Sequence, residues 1–229
     1  MRYEQHIKAL SKISDAIVSD FYVEDILRLI VTVTAQVMGS TICSLMLIDK
    51  KTNELVIRAT QSVSAEYNKK PALKVGEGIA GKVAKENKPI IIKDVKKEKE
   101  YKYLDIAKKE NLCSLLSVPL FVKRKVIGVL NCYTSDPYEF TETEVEILRS
   151  IANQAAVAIE NTELIVKTKV IQEEMETRKR AERAKGILMR EQNLTEEEAY
   201  LKLQRFSMER RKTIREISEA IILAYDMKK

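Results

Sequence analysis

The chain has 229 residues, 45% hydrophobic and 32% charged, with a formal net charge of +6. That length suits one or two compact domains, and that balance belongs to a folded chain rather than a disordered one. No run approaches 18 apolar residues and no charged-then-apolar signal segment opens the sequence, so membrane spanning and secretion are not expected and a cytoplasmic location is.

Residues Tyr3 to Asp20 place Ile7, Leu10, Ile13 and Ile17 at helical spacing, and Tyr22 to Met38 does so with Ile26, Leu29, Ile30, Val33 and Val37. Gly39 is a helix stop. The period then shortens. Thr41–Ile48 and Glu54–Thr60 read as strands around a turn at 49–53, and 61–75 as a polar, irregular stretch. Gly76-Glu-Gly78-Ile-Ala-Gly81 leads into a short helix through Glu86, and Pro89–Ile92 is a short strand. The charged run 96–102 reads as an exposed loop or helix. Ser114–Val122 and Lys125–Tyr133 form a second hairpin around Lys123-Arg124. Four or five strands with flanking helices predict a mixed α/β domain on a largely antiparallel sheet.

From Thr141 the period is helical again, and Thr141 with Glu144 makes a capping box. Leu148, Ala152, Ala155, Ile159, Thr162 and Val166 recur in steps of four and three, as in a coiled coil. A second run, Val170 to Leu188, is offset by a stutter. Such a helix needs a partner, either the first two helices or a second chain in a parallel dimer. Boxes at Thr195/Glu198 and Thr213/Glu216 open two more helices, with Ala199, Leu203, Phe206, Ile214, Ile217, Ile221 and Ala224 inward. Three narrow apolar stripes make a small bundle.

The charge is unevenly spread. Lys167 to Lys229 holds 16 Lys and Arg against 12 Asp and Glu, which leaves +4 on about a quarter of the chain. That suits a polyanionic partner or a solvated helical surface. Cys43, Cys113 and Cys132 lie in apolar runs without a C-x-x-C pair, which predicts buried free thiols. The sole histidine, His6, is remote in sequence from the thiols, no clustered metal ligands occur and no phosphate loop is present. No enzyme activity, metal or cofactor is expected.

Two stretches carry resemblances. Glu182-Arg-Ala-Lys-Gly-Ile-Leu-Met-Arg190, Leu194-Thr-Glu-Glu-Glu-Ala-Tyr200, Leu203–Thr213 and Ile217-Ser-Glu-Ala-Ile221 agree in order and spacing with the ANTAR family, over about residues 170–226. That resemblance implies a three-helix module that binds RNA hairpins in nascent transcripts and prevents termination. Val75–Val83, Ile92-Lys-Asp94, Ser114–Leu120, Val126–Leu130 and Phe140–Glu144 resemble the GAF family of signal-sensing domains, over roughly residues 5–165. The residues that bilin-, haem- and cyclic-nucleotide-binding relatives use are absent, as are the close-spaced cysteines of the related sulfoxide reductases. The expected architecture is a GAF-like α/β domain over 1–165, a long coiled-coil linker helix, and an ANTAR-like bundle over 166–229.

The RNA face expected from this comprises Lys185, Arg190, Arg205, Arg210, Arg211, Lys212 and Arg215, since phosphates attract cations and unstacked bases attract guanidinium planes. Only Glu209 and Glu216 flank the four cations of 210–215 closely. Tyr200 reads as a half-buried bundle position, with base stacking as its alternative role. Gly186, costly in a helix interior, reads as a point of close helix packing. In the GAF-like domain the expected pocket residues are Cys43, Leu45, Leu47, Ile57, Leu116 and Val118, closed by Ile79, Val83, Ile92, Asp94, Tyr101 and Tyr103. Their ligand would be an unidentified small molecule; a domain serving only as a dimeric protein-interaction scaffold is the alternative. For output, a signal-responsive DNA-binding regulator is the competing class.

Overall fold

The computed structural model describes residue 11 and residues 23–227 apart from Val63. The helix expected over Tyr3–Asp20, His6 included, lies outside the described residues. The chain divides into two compact units, Met1–Glu163 and Leu164–Lys229.

In the first unit α1 spans Val23–Met38, followed by β1 (Ile42–Asp49) and β2 (Glu54–Thr60). The turn between these strands is set by Asp49, whose carboxylate accepts the N–H groups of Lys51 and Thr52 at 2.8 and 3.1 Å. Helix α2 (Ala65–Asn68) and the short strand β3 (Leu73–Lys74) follow, in the stretch that reads as irregular. Tyr67, fully buried, anchors this segment, and one buried ring in a polar run leaves no periodic trace. Next come α3 (Gly78–Glu86), β4 (Ile90–Ile92), α4 (Leu104–Lys109), β5 (Leu115–Val122) and β6 (Lys125–Tyr133). The β5–β6 turn holds Lys123 and Arg124 both at positive φ, which matches the twist of a two-residue hairpin.

The six strands form one sheet in the order β3-β2-β1-β6-β5-β4, and every neighbouring pair is antiparallel. At Gly128 a Cβ would come within 2.1 Å of the Met46 carbonyl oxygen, so only glycine permits this strand approach. Alternation divides the central strands into two faces. Cys43, Leu45, Leu116, Val118, Leu130 and Cys132 pack against α1 and against Leu148, Ile151, Ala152, Ala155 and Ile159. Those five belong to α5, a continuous helix over Glu142–Gln192. The expected coiled-coil stripe is therefore consumed inside the GAF-like unit over its first half. On the other face, Ile42, Leu115 and Tyr133 pack with Tyr67, Ile79, Val95 and Tyr101, beside a second group around Met46, Leu55, Val83 and Val129. All three cysteines are buried free thiols. Cys43 and Cys132 sit opposite in register with sulfurs 3.8 Å apart, and burial pushes the Cys43 thiol pKa up.

In the second unit the C-terminal part of α5 packs with α6 (Glu196–Arg210) and α7 (Ile214–Asp226) around Ala184, Leu188, Ala199 and Leu203. Both capping boxes form. Thr195 accepts from the Glu198 N–H at 3.3 Å, and Thr213 from the Glu216 N–H at 3.2 Å, while each glutamate accepts the cap residue's N–H at 2.8 Å. Ala224, expected inward, is exposed, and Ser218 is buried in α7 instead. Its hydroxyl donates to the Ile214 carbonyl at 2.7 Å, which satisfies the one polar group that burial would otherwise strand.

Candidate nucleic-acid interface and sensor cavity

The basic residues of the bundle fall into two groups. Lys185 is held by Glu182 at 2.7 Å and Glu196 at 2.8 Å, with only 12% of its side chain exposed. Arg205 approaches Glu209 at 3.7 Å, Lys212 pairs with Glu216 at 2.8 Å, and Arg215 with Glu219 at 3.0 Å. Arg180, which the sequence does not single out, shares Glu219. The cluster thus has more internal pairing than its neighbours in sequence imply, because i,i+4 partners on α7 bring in Glu219. Lys212 and the capping contacts hold the Glu216 carboxyl down to about 2. That box contributes fully above the ordinary glutamate range and weakens as pH falls toward 2.

Arg210 and Arg211 differ. Both are exposed at the α6–α7 turn, and among the described residues neither has a carboxylate within 4.0 Å. Arg211 caps α6 in the left-handed region, at φ 51°, where glycine is the usual residue. The Lys212 N–H donates to the Ser207 carbonyl at 3.0 Å and closes the cap. Arg190 donates to the Gly186 carbonyl at 3.2 Å, and its guanidinium carbon lies 6.0 Å from the centre of the Tyr225 ring. Tyr200 is 46% exposed, about half-buried as expected, and keeps part of its side-chain surface open to solvent.

Gly186 is also not a packing contact, since a Cβ there meets nothing within 4 Å. With no neighbour to clash, Gly186→Ala is expected to stabilise the bundle by up to about 1 kcal/mol, through helix propensity alone. A thermal melt showing loss of stability would contradict this placement.

The cavity of the GAF-like unit lies under the second face of the sheet and has a volume of about 20 Å³. Its walls include Ser44, Ile57, Tyr67, Lys70, Ile79, Tyr101, Tyr103, Asn131 and Tyr133. Of the expected pocket residues, Ile57, Ile79, Tyr101 and Tyr103 are there. Cys43, Leu45, Leu47, Leu116 and Val118 are not, because they point to the opposite face, into the core with α1 and α5. Both faces of this sheet are covered, so alternation shows that two faces exist without marking the ligand side. Val83 packs with Met46 and Leu55, and Ile92 against the Tyr67 cluster. Asp94 caps a turn, accepting the Lys96 N–H at 3.0 Å and pairing with Lys97 at 3.5 Å. Lys70, Tyr67 and Tyr133 escape the sequence reading. A usable signal was present in Ser44 and Asn131, polar residues inside apolar strands.

Tyr67 donates to the Ser44 hydroxyl at 3.0 Å, Ser117 to the Asn131 side-chain oxygen at 2.7 Å, and Tyr101 meets Tyr133 at 3.3 Å. Burial raises the pKa of the Tyr67, Tyr101 and Tyr133 phenols and takes Tyr103 to about 12, so all four are neutral donors near neutral pH. No group of three or more His, Cys, Asp or Glu fit to hold a metal occurs among the described residues. No described helix is long and apolar enough to cross a membrane.

Comparison with known proteins agrees with both resemblances. A GAF domain model matches residues 23–160 and an ANTAR domain model residues 169–222. The phosphoenolpyruvate-dependent phosphotransferase system protein of Salmonella typhimurium is 27% identical over 155 residues, covering 68% of this chain and 21% of that protein. The transcriptional regulatory protein PdtaR of Mycobacterium tuberculosis is 40% identical over 52 residues, covering 23% of this chain and 25% of that one. The chain thus spans about a fifth to a quarter of the length of these relatives. The GAF domain of a phosphoenolpyruvate-protein phosphotransferase from Coxiella burnetii superposes with a TM-score of 0.64 at 24% identity, over 72% of this chain and 98% of that structure. The chain belongs to the GAF-domain family and carries a C-terminal ANTAR domain.

Proposed function

We propose that the ANTAR bundle binds a hairpin in nascent RNA and prevents termination, under control of the GAF domain in the same chain. One observation carries the reading: Arg210 and Arg211 stand exposed and uncompensated at the α6–α7 turn, the second in a strained left-handed cap. A side chain kept where glycine would fit better points to a role outside the fold. Around this pair, Arg205 and Lys212 sit in exposed ion pairs of the kind that contribute little, so phosphate oxygens can displace the carboxylates. The exposed part of the Tyr200 side chain offers a stacking surface for a loop base. Lys185, pinned by two glutamates, helps hold α5 to α6 and is a weak candidate for direct contact. Three buried, reduced thiols suit the cytoplasm, where nascent RNA is found.

The functional unit is a parallel homodimer formed through α5. Val157, Asn161, Leu164, Thr168, Ile171 and Met175 follow steps of four and three, and all six are exposed. This is a different stripe from the one buried in the GAF unit, and a lone asparagine within it fixes register in paired helices. Light scattering on the full chain is expected to give twice the 26.2 kDa chain mass, with one hairpin bound per protomer. A monomer that still binds RNA tightly would remove the dimer from the account, and a dimer indifferent to RNA would remove the output.

A further inference from the structure

We propose that the GAF cavity takes a one- or two-carbon carboxylate whose charge is met by the Lys70 ammonium. This rests on the sensing role of the GAF domain and names the chemistry sensed. Among the described residues, every ionisable wall group other than the tyrosines is cationic: Lys70 and Lys102 line the cavity, and no Asp or Glu does. The Lys70 nitrogen stands 3.5 Å from the centre of the Tyr67 ring, 5.1 Å from Tyr103 and 5.4 Å from Tyr133. Among the described residues no carboxylate forms an ion pair with it. Glu110, beyond the end of α4, acts only at a distance, Glu66 is engaged by Lys109, and Glu77 by Lys102. Three aromatic faces compensate a buried ammonium only in part. Burial accordingly brings the Lys70 pKa down to about 7.

The rest of the wall suits an oxyanion. Tyr67 already donates to Ser44 and Tyr101 to Tyr133, so the donors left for a ligand are the Ser44 and Tyr133 hydroxyls and the Asn131 amide, which reaches Ser44 at only 3.5 Å. The first turn of α3 also lines the cavity, and its N-cap residue Glu77 makes no side-chain capping bond. The cavity volume of about 20 Å³ sets the size limit. That is room for roughly one water molecule, so formate, with three heavy atoms, enters only as the partly exposed Lys70 side chain moves outward, and acetate needs a larger shift.

The protonation of Lys70 gives the site a pH signature. A bound carboxylate favours the charged amine, so binding above pH 7 must take up a proton. Affinity is therefore level below pH 7 and falls by about tenfold per unit above it, until the pKa of the complex is reached.

The test uses the full chain with sodium formate and sodium acetate against equal sodium chloride, read by the emission of its nine tyrosines, free of tryptophan interference. Saturable binding at pH 6.5, at least about tenfold weaker at pH 8.5 and lost in Lys70→Met, is the expected result. No saturable response to either carboxylate would overturn the proposal, as would equal affinity at both pH values. Binding retained in Lys70→Met, or a matching response to tetramethylammonium chloride, would do the same. The pH series on the unaltered chain needs no variant to fold. Hairpin affinity measured on the same samples separates the two readings. Carboxylate binding that leaves RNA affinity unchanged upholds the site and removes sensor control, whereas intact RNA binding without carboxylate binding removes the site alone.

Discussion

Reversing Arg210 and Arg211 together to glutamate is expected to weaken hairpin binding by about 100-fold or more while leaving the bundle folded. Charge-assisted contacts to phosphate are each worth about 1.5–3 kcal/mol, and a factor of ten is 1.4 kcal/mol, so losing two contacts reaches that size before repulsion is counted. The substitution should scarcely touch stability, because both side chains are exposed and neither has an ion-pair partner among the described residues. An unaltered far-ultraviolet helix signal is the control. Arg211→Gly sharpens the experiment. It relieves the left-handed cap at φ 51° and should stabilise the helix end by about 1 kcal/mol, yet it should still weaken RNA binding. A variant that is more stable and binds less well separates function from folding. Wild-type affinity in the double reversal would show that the α6–α7 turn is not where RNA sits.

The second large effect is expected at Leu203. Fully buried, it shares its core with only Ala184, Leu188 and Ala199, edged by partly buried residues such as Met189, Ile217 and Ile221. Leu→Ala at such a site costs about 2–5 kcal/mol, and a module of this size rarely has more than about 3–5 kcal/mol to lose. Leu203→Ala should therefore unfold the ANTAR bundle near 37 °C and abolish RNA binding. The GAF unit, with its own core on both faces of a six-stranded sheet, should keep its transition. Calorimetry is expected to show the bundle's transition lost and the other unmoved. Two intact transitions in this variant would mean that α6 and α7 are held by something other than that core.

The sequence exposes most of the fold because its signals are local. Thr195 with Glu198 and Thr213 with Glu216 announce helix starts that the structure closes as reciprocal hydrogen bonds. The turn at Asp49 is equally plain, since one carboxylate organises it. What stays hidden depends on the third dimension. Cys43 and Ser44 are neighbours in a strand whose first five residues are all buried, and only the packing shows that Ser44 faces the cavity and Cys43 the helices. Lys70 lies in a polar stretch that looks like solvated loop, and its ring contacts come from Tyr67, Tyr103 and Tyr133, spread over more than sixty positions. Among the cations the sequence offers no ranking. Only geometry separates the pinned Lys185 from the open Arg210 and Arg211.

Competition between a structured RNA hairpin and a duplex DNA of the same sequence, at one salt concentration and with the full chain, bears most directly on the cationic turn as an RNA reader. Hairpin RNA should displace labelled hairpin while the duplex fails to do so at a large excess, and the preference should vanish in the Arg210/Arg211 double reversal. Equal competition by duplex DNA, or a preference that survives the reversal, would contradict the account.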